Sequence, residues 1–437
     1  MRNAYEEYLA KLPKDWKRSS IGTVGTVCSG GTPRRSVPDY WNGDIPWVTP
    51  SELTVLKEKY LRSTAEKITR KGLASSSATL VPKDALLVTT RATIGSLALT
   101  AVPMTTNQGC QSVIFNTEAD PHFYYYLFSG LSQEFMRRAS GTTFLELAGR
   151  EFRAVEIPCP PLIEQHRIAE VLDALSGAIQ QTEQILSKLQ QVKVGLLHDL
   201  LTRGIDENGE LRNARRCPNE FKDSPLGCVP KQWDLQPIGR LANHITSGSR
   251  GWASFYADSG PLFLRIGNLS REHINLRLEN LVHVRPPAGG EGRRTALEPN
   301  DLLISITADL GIIGVFPSGL GEAYVNQHIA LVRLDSSQVN PRWVGHFLAG
   351  GAGQQQFKRL DDVGAKSGLN LPTVAGLNVA VPRRAEQDMI VSILDAQDDR
   401  IRREAACAGK LRSLKLGLME DLLTGRVRVP VLEEVTF

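Results

Sequence analysis

The sequence predicts an α+β chain with a pseudo-twofold internal repeat. Two β-rich domains alternate with two long helices that pair as an antiparallel coiled coil. Three observations predict this. Residues 160–202 (PPLIEQHRIAEVLDALSGAIQQTEQILSKLQQVKVGLLHDLLT) recur without a gap as residues 382–424 (PRRAEQDMIVSILDAQDDRIRREAACAGKLRSLKLGLMEDLLT), an offset of 222 at both ends (382 − 160 and 424 − 202). A fixed-offset copy of this length marks an internal duplication. Within each copy, apolar residues return in steps of three, four and seven, which places them on one stripe of a helix. Elsewhere, short β-branched or aromatic runs are broken about every eight to twelve residues by Gly, Pro, Asn or Asp, the pattern of strands and turns.

The elements follow in order. Residues 1–158 form the first β-rich domain, opened by LPKDW, with strands expected at 45–48, 85–90 and 112–115 and one helix at 123–138. The central helical region spans 159–204. Pro160 and Pro161 block extension upstream, and Gly204 stands where a C-terminal stop belongs. About forty residues make a rod of roughly 60 Å. Such a rod cannot bury a one-sided stripe against itself, so the two copies are expected to pack on each other; the alternative is a separate amphipathic helix in each domain's core.

Residues 205–229 are polar and dotted with Gly and Pro, the best linker candidate. The second β-rich domain, 230–380, opens with VPKQW and repeats the landmarks of the first: Leu302-Leu303-Ile304 for Leu86-Leu87-Val88, Asn326-Gln327 for Asn107-Gln108. The distal helical region covers 381–426, and 427–437 is a tail.

Bulk numbers bound the function. At 437 residues two or three domains are expected. Fifty-one basic against 47 acidic residues give only +4, compatible with local basic faces but not with a uniformly basic surface. Six scattered cysteines contain no CxxC pair, so neither a zinc site nor a disulfide framework is indicated, and a reducing cytoplasm is the expected compartment. No run approaches eighteen apolar residues. Catalytic signatures are absent: Gly364-Ala365-Lys366-Ser367 lacks the leading glycine of a phosphate loop, Gly351-Ala352-Gly353 does not extend to a dinucleotide fingerprint, and the eight histidines form no HExxH pair.

The chain resembles the DNA-specificity subunit of type I restriction-modification enzymes. LPKDW and VPKQW, SGGTPRRSVPDYWNGDIPWVTPSEL at 29–53, the two Asn-Gln pairs, PPLIEQ at 160–165 and the helix ends LLHDLLTRG and LMEDLLTGR carry the resemblance. The second half departs from it: SGSRGW replaces SGGTP, and PRRAEQ opens the second helix. The resemblance implies that both β-rich domains are target-recognition domains for double-stranded DNA. It implies two DNA adenine methyltransferase (modification) subunits docked on the helices, joined by restriction/translocase subunits. S-adenosylmethionine, ATP and Mg²⁺ are then expected in those partners and no cofactor in this chain. The rival class is a two-domain adaptor binding proteins across a coiled-coil stalk.

DNA reading needs cations and hydroxyls for phosphates and forked donors or acceptors for base edges. In the first domain the candidates are Thr32, Arg34 and Arg35 around a flexible Gly-Gly turn, Thr49 and Ser51, Thr90, Arg91 and Thr93 after an apolar strand, and Thr142 and Thr143. In the second they are Ser247, Ser249, Arg250, Arg265, Asn268, Thr307, Lys366 and Ser367. Each competes with a plainer reading, since loop arginines are often merely solvated and Ser/Thr/Gly clusters are often simple turns. Residues that recur should not encode two different sequences, so Asn107-Gln108 and Asn326-Gln327 are expected to hold backbone, and Trp41 and Trp47 to pack in a core. The helices carry no basic stripe, which makes them spacers and docking surfaces. Leu196, Leu197, Leu200, Leu201, Leu418, Leu422 and Leu423 are the candidate docking residues.

Overall fold

The structure is a computed structural model and describes residues 4–141, 145–248, 250–286, 290–362 and 368–430. The duplication appears first in the sheets. In the first domain, strands Gly25–Ser29, Cys110–Phe115, Leu86–Thr89, Leu97–Thr100 and Tyr60–Leu61 lie side by side in that order. In the second, Ala242–Ser247, Ile329–Leu334, Leu302–Ser305 and Ile313–Val315 repeat the first four places. The central strands Leu86–Thr89 and Leu302–Ser305 are buried at every residue, so they read as continuous apolar runs rather than alternating ones. A three-stranded sheet accompanies each: Glu66–Ile68, Trp41–Val48 and Thr105–Thr106 in one, His283–Val284, Tyr256–Leu264 and Ala323–Val325 in the other.

The helix expected at 123–138 is two helices, Pro121–Ser129 and Ser132–Arg138. Asp120 caps the first by accepting from the amides of His122 and Phe123, Pro121 occupies the first turn, and Gly130 ends it. Asn340, Pro341 and Gly350 do the same for Pro341–Ala349.

The two long helices are Leu162–Thr202 and Arg384–Leu423, the central and distal helices below. Gly204 and Gly425 follow them with φ of 63° and 69°, the left-handed conformation that closes a helix at little strain only for glycine. The chain divides into two compact units, Met1–Thr182 with Cys407–Phe437, and Glu183–Ala406, so each long helix contributes one half to each unit. Within the first unit Ile168 and Leu172 share a core with Leu418, Leu422 and Leu423. Within the second, Leu196, Leu200 and Leu201 share one with Ile390, Val391 and Leu394. Early turns of one helix meet late turns of the other in both, which is antiparallel pairing.

The seam has a heptad rhythm. Thr182, Leu186, Leu189, Lys193, Leu196 and Leu200 alternate steps of four and three and are all buried or half-buried. Leu394, Gln397, Ile401, Glu404, Ala408, Leu411, Lys415, Leu418 and Leu422 do likewise. Gln397 Nε2 donates to the Leu189 carbonyl at 2.8 Å.

The recurring motifs are joints between domain and helix. Trp16 of LPKDW donates from Nε1 to Glu164 Oε2 (2.9 Å), as Trp233 of VPKQW does to Glu386 Oε1 (3.2 Å). Gln165 accepts from the Asp120 amide and donates to the Pro160 carbonyl; Gln387 makes the same pair of bonds with Asn340 and Pro382, all four at 2.8 Å. Asp173 accepts from Tyr126, His122 and Lys59, and Asp395 from Arg342 and His346. The expected linker is folded. Phe221–Ser224 and Gly227–Pro230 form a hairpin, and Arg212 makes two hydrogen bonds to Glu386 at 2.5 and 3.0 Å with both side chains about nine-tenths buried.

Candidate nucleic-acid interface

In the first domain several loops meet at one end of the sheets. The Asn107 amide donates to the Val48 carbonyl (2.9 Å), joining the Asn-Gln turn to the strand that ends at Thr49. The Thr90 amide donates to the Gly109 carbonyl (2.8 Å), and the Leu147 amide to the Thr90 carbonyl (2.9 Å). Thr32 Oγ1 donates to Gln108 Oε1 (2.5 Å), and the hydroxyls of Thr54 and Thr93 lie 2.8 Å apart. Thr32, Ser51, Thr54, Thr93 and Gln108 are all exposed there. These are hydroxyl and amide groups able both to donate and to accept, the chemistry that base edges and phosphate oxygens require.

The glycines of the SGG turn serve close packing rather than flexibility. A Cβ on Gly30 would lie 1.9 Å from the Asn107 carbonyl oxygen, and one on Gly31 would lie 2.3 Å from the Ala78 amide. Gly248 is held the same way, 2.1 Å from the Asn326 carbonyl oxygen.

The second domain builds the same arrangement. The Asn326 amide donates to the Leu264 carbonyl (3.1 Å) and the Ile306 amide to the His328 carbonyl (3.0 Å). Thr307 Oγ1 and His328 Nδ1 are 2.6 Å apart. Arg265, Gly267, Asn268, Glu279, Asn326 and His328 line an open cavity of about 460 Å³. Among the described residues no group of three or more His, Cys, Asp or Glu side chains could hold a metal, and no helix is long and apolar enough to cross a membrane.

Residues 13–191 match the family model described as the type I restriction modification DNA specificity domain. The chain is 30% identical over 267 residues to the type I restriction enzyme MjaIX specificity subunit of Methanocaldococcus jannaschii, a match covering 60% of each chain. It is 22% identical over 440 residues to the MjaVIII specificity subunit of the same organism, covering 98% of this chain and 96% of that one. The crystal structure of the type I restriction-modification S subunit from M. genitalium superposes with a TM-score of 0.59 at 14% identity, over 96% of this chain and 97% of the other. The chain is similar to type I DNA-specificity subunits along nearly its whole length. Relatives so named are recognition components rather than catalysts.

Several residues expected to contact DNA are buried or already partnered within the domain. Thr90 is buried and its hydroxyl donates to the Gly109 carbonyl, so it belongs to the scaffold. Asn268 is buried, accepting from the Arg265 amide and donating to the Arg277 carbonyl. Arg35 is held twice, by Glu66 through both guanidinium nitrogens and by the Trp41 ring 3.9 Å away. That hydrogen bonding pushes Arg35 further up and holds the Glu66 carboxyl below the usual carboxylate range. Arg91 is ion-paired to Glu146 at 2.7 Å. Arg34 is exposed, and among the described residues its guanidinium has no partner. Thr49 and Ser51 sit on the capping turn of Pro50–Val55, with hydroxyls 3.0 Å apart. Ser247 is half-buried and ends its strand, and Arg250 is exposed. Thr142, Thr143, Ser249, Lys366 and Ser367 lie outside the described residues.

The docking leucines need correction. Leu200, Leu201, Leu422 and Leu423 are buried in the units' cores, and Leu196, Leu197 and Leu418 pack partly against them. The last turns of each long helix pack against a globular core, which uses up the stripe that looked free. Exposed apolar residues lie one to three turns earlier, at Ile185, Val192 and Val194, and at Leu414 and Leu416.

Asn107 and Asn326 hold backbone as recurrence implied, accepting from the amides of Gly109 (2.9 Å) and His328 (3.3 Å). Trp47 is buried with Nε1 on the Gly31 carbonyl. Gln108 and Gln327, expected to hold backbone as well, instead meet side chains, Thr32 and His328. Gln108, Thr54 and His328 stand in these loops without having been sequence candidates for DNA contact. The repeated Asn-Gln pair was the available signal, since only its first member is needed for the turn.

Proposed function

We propose that this chain reads a split, asymmetric DNA sequence, one half with each β-rich domain, while the paired helices set the distance between the halves. The observation that carries the reading is the duplicated loop cluster, built twice on one scaffold and joined each time to a long helix by the same Trp-Glu and Gln-backbone joints. Half-sites presented to one face of a duplex must be about a helical turn, ~34 Å, apart or a multiple of it, a requirement that a heptad-paired rod suits.

Two methyltransferase subunits would dock on the helices and supply the S-adenosylmethionine chemistry; restriction subunits using ATP and Mg²⁺ would follow. The exposed apolar positions favour a pair of like partners. Val192 and Val194 recur at the repeat offset as Leu414 and Leu416, and all four are at least half exposed.

The test is an insertion of four residues after Gln181, made in a host that carries the cognate modification subunits. Sequencing of methylated sites is expected to show an altered spacer between unchanged half-sites. Methylation at the original spacer would refute the ruler, and absence of sequence-specific methylation by the unmodified complex would favour the adaptor reading.

A further inference from the structure

The two domains share a backbone so closely that one chain contains its own comparison. Thr49 and Arg265 each follow the end of a strand, and each backbone amide donates to a side chain three residues on, Glu52 at 2.8 Å and Asn268 at 3.0 Å. Thr89 Oγ1 accepts from the Ser96 amide at 2.9 Å and Ser305 Oγ from the Ile312 amide at 2.7 Å. Between them Ala92 and Ala308 adopt φ of 61° and 59°, and Gly95 and Gly311 φ of 96° and 76°. That register makes Arg91 equivalent to Thr307 and Thr93 to Asp309. Bonds from Asn107 to Val48 and from Asn326 to Leu264 then make Gly109 equivalent to His328.

Side chains that hold this backbone keep their roles in both copies. Glu52 and Asn268 cap, Asn107 and Asn326 close a turn, Thr89 and Ser305 brace a loop. The residues beside them differ in kind: Thr49, whose hydroxyl donates to Glu52 Oε2 at 3.0 Å, against Arg265, Ser51 against Gly267, Arg91 against Thr307, Gly109 against His328. Two identical frames with unlike groups at the same places are what two unlike half-sites would require.

We propose that Arg265 and His328, which line one cavity of the second domain, select base pairs of its half-site, and that Thr49, equivalent to Arg265, occupies the matching reading position in the first. This rests on the DNA-reading function proposed above. Arg265 brings a forked donor able to bridge two acceptors of one guanine edge, which a threonine at that place cannot do. His328 brings an imidazole where Gly109 has no side chain. Its Nδ1 lies 2.6 Å from Thr307 Oγ1 and its Nε2 3.1 Å from Gln327 Nε2, so a base edge would be met by this linked group of three side chains. Gly109 stays small because a Cβ there would lie 2.7 Å from Pro50 Cγ, while Ile266 takes the place of Pro50 beside His328.

Arg265→Thr, His328→Gly and Thr49→Arg each import a residue that the other copy already carries on the same backbone, so all three are expected to fold; thermal unfolding checks this. The full complex with its modification subunits is then assayed for bound sequences in a randomised duplex library. Arg265→Thr and His328→Gly are expected to relax discrimination roughly tenfold at one or two base pairs of a single half-site, leaving the other half unchanged. Thr49→Arg is expected to change preference only in the opposite half. Unchanged selection, or a loss spread evenly over all sequences, in variants of a complex whose wild type selects a split target overturns this proposal alone. A wild type that selects no split target overturns the underlying reading as well.

Discussion

Lys193 Nζ lies 2.5 Å from Asp398 Oδ1 inside the helical seam, with the two side chains 11% and 2% exposed. Lys193 also donates to the Glu272 carbonyl, whereas Asp398 Oδ2 is buried without a hydrogen-bond partner. A buried ion pair in a mostly apolar heptad seam specifies register at some expense of stability. Removing one member leaves a buried charge, so Asp398→Ala should destabilise Glu183–Ala406 by about 3–5 kcal/mol, while Lys193→Met with Asp398→Leu should be near neutral or stabilising. Chemical denaturation of the three proteins decides it; equal loss in the single and double variants would contradict the pairing.

The helix-start joints are unequal. Arg212 is 8% exposed beside Glu386 at 10%, whereas Arg428, which binds Glu164 and Asp15, is 43% exposed. Solvent screens the second cation and not the first. Arg212→Ala should therefore lower the denaturation midpoint clearly more than Arg428→Ala. The reverse order would show that the tail, not the mid-chain segment, carries the stronger lock.

Acid stability should report on Asp395. Burial by itself raises this carboxyl, but hydrogen bonds from His346 and Arg342 outweigh it and hold the group down to about 2. A folded pKa below the unfolded one contributes stability that is present above about pH 4 and lost as pH falls through about 2. Asp395→Asn should thus lose about 2 kcal/mol relative to wild type at pH 7, and the gap should close between pH 4 and 2. Unfolding free energies across that range test the sign; a gap that widens on acidification would exclude it.

If the first domain binds DNA as proposed, Arg34 is its candidate phosphate ligand, being exposed with a guanidinium that has no partner among the described residues. Arg34→Ala should weaken DNA binding and reduce the log–log salt slope by ~0.9, the value for one phosphate that the variant no longer neutralises. Arg35→Ala should instead act through Trp41 and Glu66, changing stability before slope. Fluorescence anisotropy over a salt series separates the two, and identical slopes for wild type and Arg34→Ala would remove Arg34 from the interface.

Much of the architecture was legible because repetition and period are properties of the chain itself. The step of three and four residues needs no knowledge of what lies opposite. Gly204 likewise acts through its own backbone preference, so it marked the end of the central helix correctly. The break at Gly130 was less visible, since the aromatic run on either side keeps a helical rhythm.

The site was legible only in outline. Thr90 and Ser51 look alike in sequence, yet one donates into the interior and the other faces solvent, because that depends on which strand runs beside it. Arg34 and Arg35 are neighbours, and the Glu66 carboxylate, distant along the chain, separates their roles. The docking leucines misled for the same reason: an amphipathic stripe states that something covers it, not what. Local rules thus determined the duplication, the two rods and the strand pattern, each set by chain-neighbour geometry. Packing between residues far apart along the chain decided which polar groups stay exposed, which are spent holding the frame, and that the last helical turns belong to the cores.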